Sequence, residues 1–283
     1  MDKSLKSRAD EVYFKINTEI QNNRIDLVAS HLKKLDKIEG ETPRVLDIKG
    51  FLALARGNYK DAEKYLTEAV KQKPDKKRYR LNLGLLHMAR EEFIEAENIF
   101  NELVKKDPGY FPALNNLAMA LFKLKKIDDA LPYIQKMKEI KPRSPMAYRL
   151  EALYYFEKQR YSEALNTADE LIALDPQNPL TYITMGQIFN KMEKFEDAAQ
   201  AYQLAHNLNP DDMDTALSYA IALGNIERFD LSFPVLQTVV KNQPNSGPAH
   251  KGLAIIYKLM GKEEEFKKHA ETARKLGEKL DLQ

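Results

Sequence analysis

The stretch FPALNNLAMALFKLKKIDDALPYIQKMKEIKPRS, residues 111–144, reads as two helices and a stop. On a helix turning about 100° per residue, Leu114, Leu117, Ala118 and Leu121 fall on one stripe, which predicts a buried face. Ile127, Ala130, Ile134 and Met137 recur at the same spacing and predict a second helix over 127–140. Pro142 closes the unit, because proline lacks an N–H and drives the residue before it out of the helical region. Met119 and Phe122 are left over. They lie off the core stripe, beside Asn115 and Asn116, on a side that should be wet.

Outside this stretch the pattern repeats. Pro74, Pro108, Pro142, Pro176, Pro210 and Pro244 are spaced by 34 residues without a slip. Ala62, Ala96, Ala130, Ala164, Ala198 and Ser232 keep the same period. A small residue twelve positions earlier does so too, at Gly50, Gly84, Ala118, Ala152, Gly186, Ala220 and Ala254. An aromatic or isoleucine precedes each alanine or serine by three, at Tyr59, Phe93, Ile127, Tyr161, Phe195 and Phe229. The small residues have a steric reason: Ala118 and Ala130 would sit where the two helices cross, and a larger side chain would part the backbones.

Composition sets outer limits. The chain has 283 residues, 43% apolar and 30% charged, enough for a sizeable core; length alone suggests two domains. With no cysteine, disulfide scaffolds, thiolate zinc sites, iron–sulfur clusters and cysteine nucleophiles are excluded, which fits a reducing compartment. The first twenty residues carry no signal-peptide core and no segment has the length of a membrane span, so a cytoplasmic location is expected.

Read by Gly50, Tyr59, Ala62 and Pro74 and their equivalents, the sequence resembles the tetratricopeptide repeat (TPR) family. The resemblance implies an all-α fold, a right-handed α–α superhelix of about eight helix hairpins. Six regular units are expected at 43–76, 77–110, 111–144, 145–178, 179–212 and 213–246. Residues 1–42 form a degenerate capping repeat and 247–283 a final repeat with a capping helix, since a solenoid must present a polar face at each end. Pro132 and Pro234 fall inside second helices, where the expectation is a tolerated kink on the convex side.

In this family the first helices line the concave side and the second helices the convex side. The leftover face of 112–122 then becomes the wall of a groove, and its equivalents lie 34 residues apart. Phe51, Leu54, Leu85, Met88, Met119, Phe122, Leu153 and Phe156 make an apolar ladder along units 43–178. Arg78, Asn82, Asn115, Asn116 and Arg149 are the polar candidates on that face. Asn82 and Asn116 match an asparagine that family members often use to bond a ligand's backbone, and methionines suit a surface that adapts to varied side chains. Family members that clamp a terminal carboxylate need a lysine and an asparagine where this chain has Asp47 and Phe51, so no such clamp is expected. The competing readings are that the ladder packs against neighbouring first helices, or that the segment around Val12, Phe14, Ile16 and Ile20 folds into the groove.

Charge is arranged asymmetrically. Residues 43–144 hold 21 Lys/Arg against 14 Asp/Glu, a net of +7; residues 145–246 hold 7 against 14, a net of −7. Such a dipole could orient a partner or a second copy of the chain. Nucleic acid is disfavoured, because the acidic half would repel the same polyanion and no base-reading motif accompanies the basic residues. No phosphate-binding glycine loop or HExxH motif is present. The five histidines, His31, His87, His206, His250 and His269, are read as falling in different units without ligand spacing. No enzyme activity, metal or cofactor is expected. The sequence predicts a scaffold or adaptor that holds a peptide segment of a partner protein in its groove, with a self-assembling structural scaffold, a homo-oligomer, as the alternative.

Overall fold

The computed structural model describes residues 3–22 and 24–279. Among them sixteen α-helices follow one another and pair into eight hairpins, an all-α helix-hairpin solenoid. The chain divides into two compact units, Met1–Pro142 and Arg143–Gln283. The first holds α1 (Lys3–Gln21), α2 (Ile25–Glu39), α3 (Pro43–Ala55), α4 (Tyr59–Gln72), α5 (Lys77–Ala89), α6 (Phe93–Lys106), α7 (Phe111–Lys123) and α8 (Ile127–Ile140). The second holds α9 (Pro145–Glu157), α10 (Tyr161–Leu174), α11 (Pro179–Lys191), α12 (Phe195–Leu208), α13 (Met213–Asn225), α14 (Phe229–Asn242), α15 (Gly247–Leu259) and α16 (Glu263–Lys275).

Within the first unit every first helix packs on its own second helix, and α3, α5 and α7 pack also on the second helix of the hairpin before. The first helices α3, α5 and α7 also touch in sequence, while the second helices make no comparable contact with one another. First helices therefore crowd together on the inner side of this unit. In the second unit α9 meets α11 and α13 meets α15 in the same way.

The hairpins close because one side yields volume that the other takes. Gly84 faces Phe100, a fully buried ring; a Cβ added at Gly84 would lie 2.4 Å from its Cε1 atom. Gly50 meets Leu66 and Gly186 meets Tyr202 in the same register, sixteen residues on. Where the small residue is alanine, at Ala118, Ala152, Ala220 and Ala254, the residue sixteen further on is Ile134, Ala168, Leu236 or Ala270, all buried. The period of small residues is thus a period of helix crossings.

Among the described residues, each corner between first and second helix from α3–α4 to α15–α16 has a left-handed residue. Gly57 and Gly261 have φ of 72° and 69°, and at the same repeat position Glu91, Lys125, Gln159, Glu193 and Glu227 have φ between 57° and 61°. At the α5–α6 corner Glu92 N–H donates to His87 O at 2.9 Å and Glu91 N–H to Met88 O at 3.1 Å, the paired bonds of a Schellman cap. Pro132 and Pro234 sit inside α8 and α14, which run through them with the prolines exposed.

Two outcomes follow. Gly84→Ala gains helix propensity of about 1 kcal/mol, but overpacking against the Phe100 ring costs about 1–3 kcal/mol. Thermal denaturation should show a lower Tm, and Phe100→Leu should cost less in the Gly84→Ala background than alone. At the corners a non-glycine residue in the left-handed region is strained by roughly 1–2 kcal/mol, offset in part by the chain entropy that glycine surrenders. Glu91→Gly, Lys125→Gly and Glu227→Gly should each raise the urea midpoint, and Gly57→Ala should lower it.

Candidate functional site

The apolar candidates of the first unit stand on its touching first helices. Phe51 and Leu54 are on α3, Leu85 and Met88 on α5, and Met119 on α7, all half-buried, so each keeps part of its surface open. Leu54 also leans on the small cluster of Ala62, Leu66 and Leu86. Phe122 differs from the sequence expectation of a wet face: it is 6% exposed and belongs to the core. The core stripe of α7 is broad, taking in Ala113, Ala120 and Phe122 beside the four residues read from spacing. Arg149, Leu153 and Phe156 are on α9, in the second unit; all three are half-buried, with the Phe156 ring 6.0 Å from that of Tyr161.

Four of the five polar candidates, Arg78, Asn82, Asn116 and Arg149, are engaged by the chain itself. Asp47 is fully buried on α3. Asn82 Nδ2 donates to its Oδ1 at 2.7 Å, and Arg78 Nε lies 2.9 Å from its Oδ2, an ion pair whose angle falls short of a hydrogen bond. Arg78 Nη1 reaches back to α1, donating to Tyr13 Oη at 3.1 Å and to Asn17 Oδ1. Arg78 and Asn82 therefore bind α3 and α1 rather than waiting for a ligand. Asn116 Nδ2 donates to Pro112 O of its own helix at 2.8 Å, and Asn115 Oδ1 is buried with no hydrogen-bond partner. Arg149 Nη2 lies 2.9 Å from Met146 Sδ.

Electrostatics follow from this burial. Desolvation raises the Asp47 carboxyl above its ordinary value of 3.8, against the lowering pull of Arg78 and the Asn82 hydrogen bond. Tyr79 is pushed up to about 12 by burial, with the Asp47 charge adding to it. Next to this network, Arg44 donates to Glu39 and to Asp10, and the Arg44 hydrogen bond holds the Glu39 carboxyl below its usual range.

Of the four apolar residues that could have plugged the groove, Ile16 is buried in a core shared with Val28, Leu32, Leu35, Val45 and Ile48, and Val12 and Ile20 pack against it. Phe14 points away and is 73% exposed. Helix α1 thus acts as the first helix of a hairpin. The link from Arg78 to Asp47, Tyr13 and Asn17 was missed by sequence reasoning. Its only signal there is an acid, Asp47, at a groove position, with an arginine in the following unit.

His250 and His269, read as belonging to different units, both fall in the last hairpin; their Nδ1 atoms are 2.9 Å apart and His250 Nε2 lies 3.0 Å from Pro244 O. Among the described residues no group of three or more His, Asp or Glu side chains is placed to hold a metal ion. No helix among them is long and apolar enough to cross a membrane.

Comparison with known proteins agrees with the hairpin geometry. Three tetratricopeptide repeat models match, over residues 49–111, 87–154 and 180–212. The chain belongs to the tetratricopeptide repeat family. Its fold is the kind on which protein–protein interaction scaffolds are built. Among solved structures it is similar to a chain of the APC/C hetero-tetramer Cut9–Hcn1, with TM-score 0.72 and 16% identity over 97% of this chain; it spans 54% of that longer chain. It is also similar to a thermophilic TPR protein of Thermus thermophilus, with TM-score 0.59, 20% identity, and coverage of 64% of this chain and 99% of the other. YrrB, described as a TPR protein with an unusual peptide-binding site, is similar at TM-score 0.52 and 19% identity, covering 63% of this chain and 92% of its own. No curated protein matches by sequence.

The buried pair generates a test. Arg78→Leu leaves Asp47 buried without its cation and should cost roughly 3 kcal/mol at neutral pH, while Asp47→Leu combined with Arg78→Leu should cost much less. Because the folded-state value of Asp47 lies above its unfolded one, the folded chain takes up the proton first as pH falls. The Arg78→Leu penalty should therefore shrink on acidification from neutral toward pH 3.8, as read by urea denaturation across that window.

Proposed function

We propose that the chain is a protein-binding scaffold whose first unit holds an apolar peptide segment, extended or helical, along α3, α5 and α7. One observation carries this reading. Phe51, Leu85 and Met119 repeat at 34-residue spacing on three first helices that touch in order, and all three keep apolar surface half open. Leu54 and Met88 add a second row one turn further on. Contiguous open apolar surface of this kind is what partner proteins cover, and alternate pockets along touching helices suit a segment with spaced apolar anchors. Arg78 and Asn82 serve instead to fix α1, α3 and α5, so the recognition chemistry is chiefly apolar. Leu153 and Phe156 on α9 continue the same sequence register in the second unit.

The test uses peptides selected by display against the full chain, with affinity read by fluorescence anisotropy. Leu85→Glu together with Met119→Glu should weaken their binding by at least about tenfold, the loss of two apolar anchors, with helical circular dichroism unchanged. Phe122→Glu is a poor probe, since a charge at a core position would unfold the hairpin. Equal affinity for the double variant and the parent would overturn the reading.

A further inference from the structure

At the edge of the first unit, away from the apolar row, lies a cavity of about 410 Å³ formed by α1, the ends of α2 and α4 and the starts of α3 and α5. Lys6 of α1, Lys73 at the end of α4 and Lys76 at the start of α5 stand around it. The basic residues that follow Lys76 are committed elsewhere. Lys77 pairs with Asp107, Arg78 with Asp47, and Arg80 with Glu102. Among the described residues the ammonium groups of Lys6, Lys73 and Lys76 have no ion-pair or hydrogen-bond partner, and all three side chains are exposed.

The walls decide what sort of ligand fits. Arg44 adds a fourth cation, its guanidinium 4.9 Å from the centre of the Tyr13 ring and held by Glu39 and Asp10. Both carboxylates also face the cavity, so its walls carry four positive charges against two negative. Thr42 Oγ1, which would ordinarily cap α3, donates to Glu39 Oε2 at 3.0 Å instead. The first N–H groups of α3, like those of α5 behind Lys76, therefore have no side-chain acceptor. Tyr79, itself 3% exposed, completes the lining with a phenol that stays protonated at neutral pH.

We infer that this cavity binds a phosphoryl group, the dianion of a phosphate monoester, between Lys6, Lys73 and Lys76. The excess of two positive charges balances the charge of about −1.5 to −2 that such a group carries at pH 7. A phosphoryl group has three terminal oxygens to meet three ammonium groups, one from α1 and two from the turn between α4 and α5, whereas a carboxylate has two. The starts of α3 and α5, without side-chain caps, add partial positive charge, set against the partial negative charge of the α2 and α4 ends on the same rim, so the ammonium groups supply the selectivity. The site is independent of the apolar row on α3, α5 and α7. It would give the scaffold a second, charge-selective contact on the same unit.

The experiment is isothermal titration of the full chain at low salt with three probes: inorganic phosphate, O-phosphoserine, and the acetylated pentapeptide Ala-Ala-phosphoserine-Ala-Ala, with its unphosphorylated form as control. Saturable one-to-one binding of phosphorylated probes alone is expected, falling by at least about tenfold in Lys73→Glu with Lys76→Glu, because charge-assisted contacts are lost and like charges replace them. Those lysines are exposed and unpaired, so the Tm should be unchanged. Equal affinity for all three phosphorylated probes assigns the site to the free phosphoryl group, and tighter binding of the pentapeptide assigns it to a phosphorylated protein. Leu85→Glu with Met119→Glu should leave the titration unaltered, which separates this site from the apolar row. Absence of saturable binding, or binding that survives in the double lysine variant, would overturn the inference.

Discussion

The structure depends on the close crossing of the two helices in each hairpin. Gly50 against Leu66, Gly84 against Phe100 and Gly186 against Tyr202 are pairs in which one chain gives up a side chain and the other fills the space. That exchange sets the distance between helix axes, and with it which residues of the first helix face the partner helix and which are left over. The apolar row on α3, α5 and α7 exists because the crossing uses up the small residues and leaves Phe51, Leu85 and Met119 on the other side. A protein interior is packed to the density of an organic crystal, so the crossing leaves little latitude in the side chains that meet there.

Much of this was legible in the amino-acid order. The prolines, alanines and small residues repeat at one period, and the helices begin and end where those residues put them. Asn58, Asn178 and Asp212 accept from the first backbone N–H groups of α4, α11 and α13, as their chemistry dictates. Periodicity could not separate Phe122 from Met119, because both lie off the four-residue stripe and only packing reveals how wide the buried arc of α7 is. Nor could it reveal that Arg78 crosses to Tyr13 and Asn17, more than sixty residues back. Spacing records what repeats; a contact made once leaves no periodic trace. The left-handed corners were hidden for a related reason: glycine marks that conformation at Gly57 and Gly261, whereas Glu91, Lys125, Gln159, Glu193 and Glu227 carry it without announcing it.

The polar candidates show how a surface can change role within one architecture. A groove position that family members use for a ligand is occupied here by Asp47, and the arginine and asparagine nearby turn toward it. The same first unit keeps its apolar surface open and its peripheral lysines unpaired. Inner polar groups hold the helices together, and the groups left free differ in chemistry from one edge of the unit to the other.

Arg78 has one more consequence, for how the chain comes apart. Repeat arrays bond only between nearest neighbours, so their ends fray one repeat at a time. A guanidinium on the third hairpin that grips the first and second makes the array locally more than one-dimensional. Peeling the leading hairpin away must break the same junction that joins the next two, so these three hairpins should let go together, as a single cooperative block.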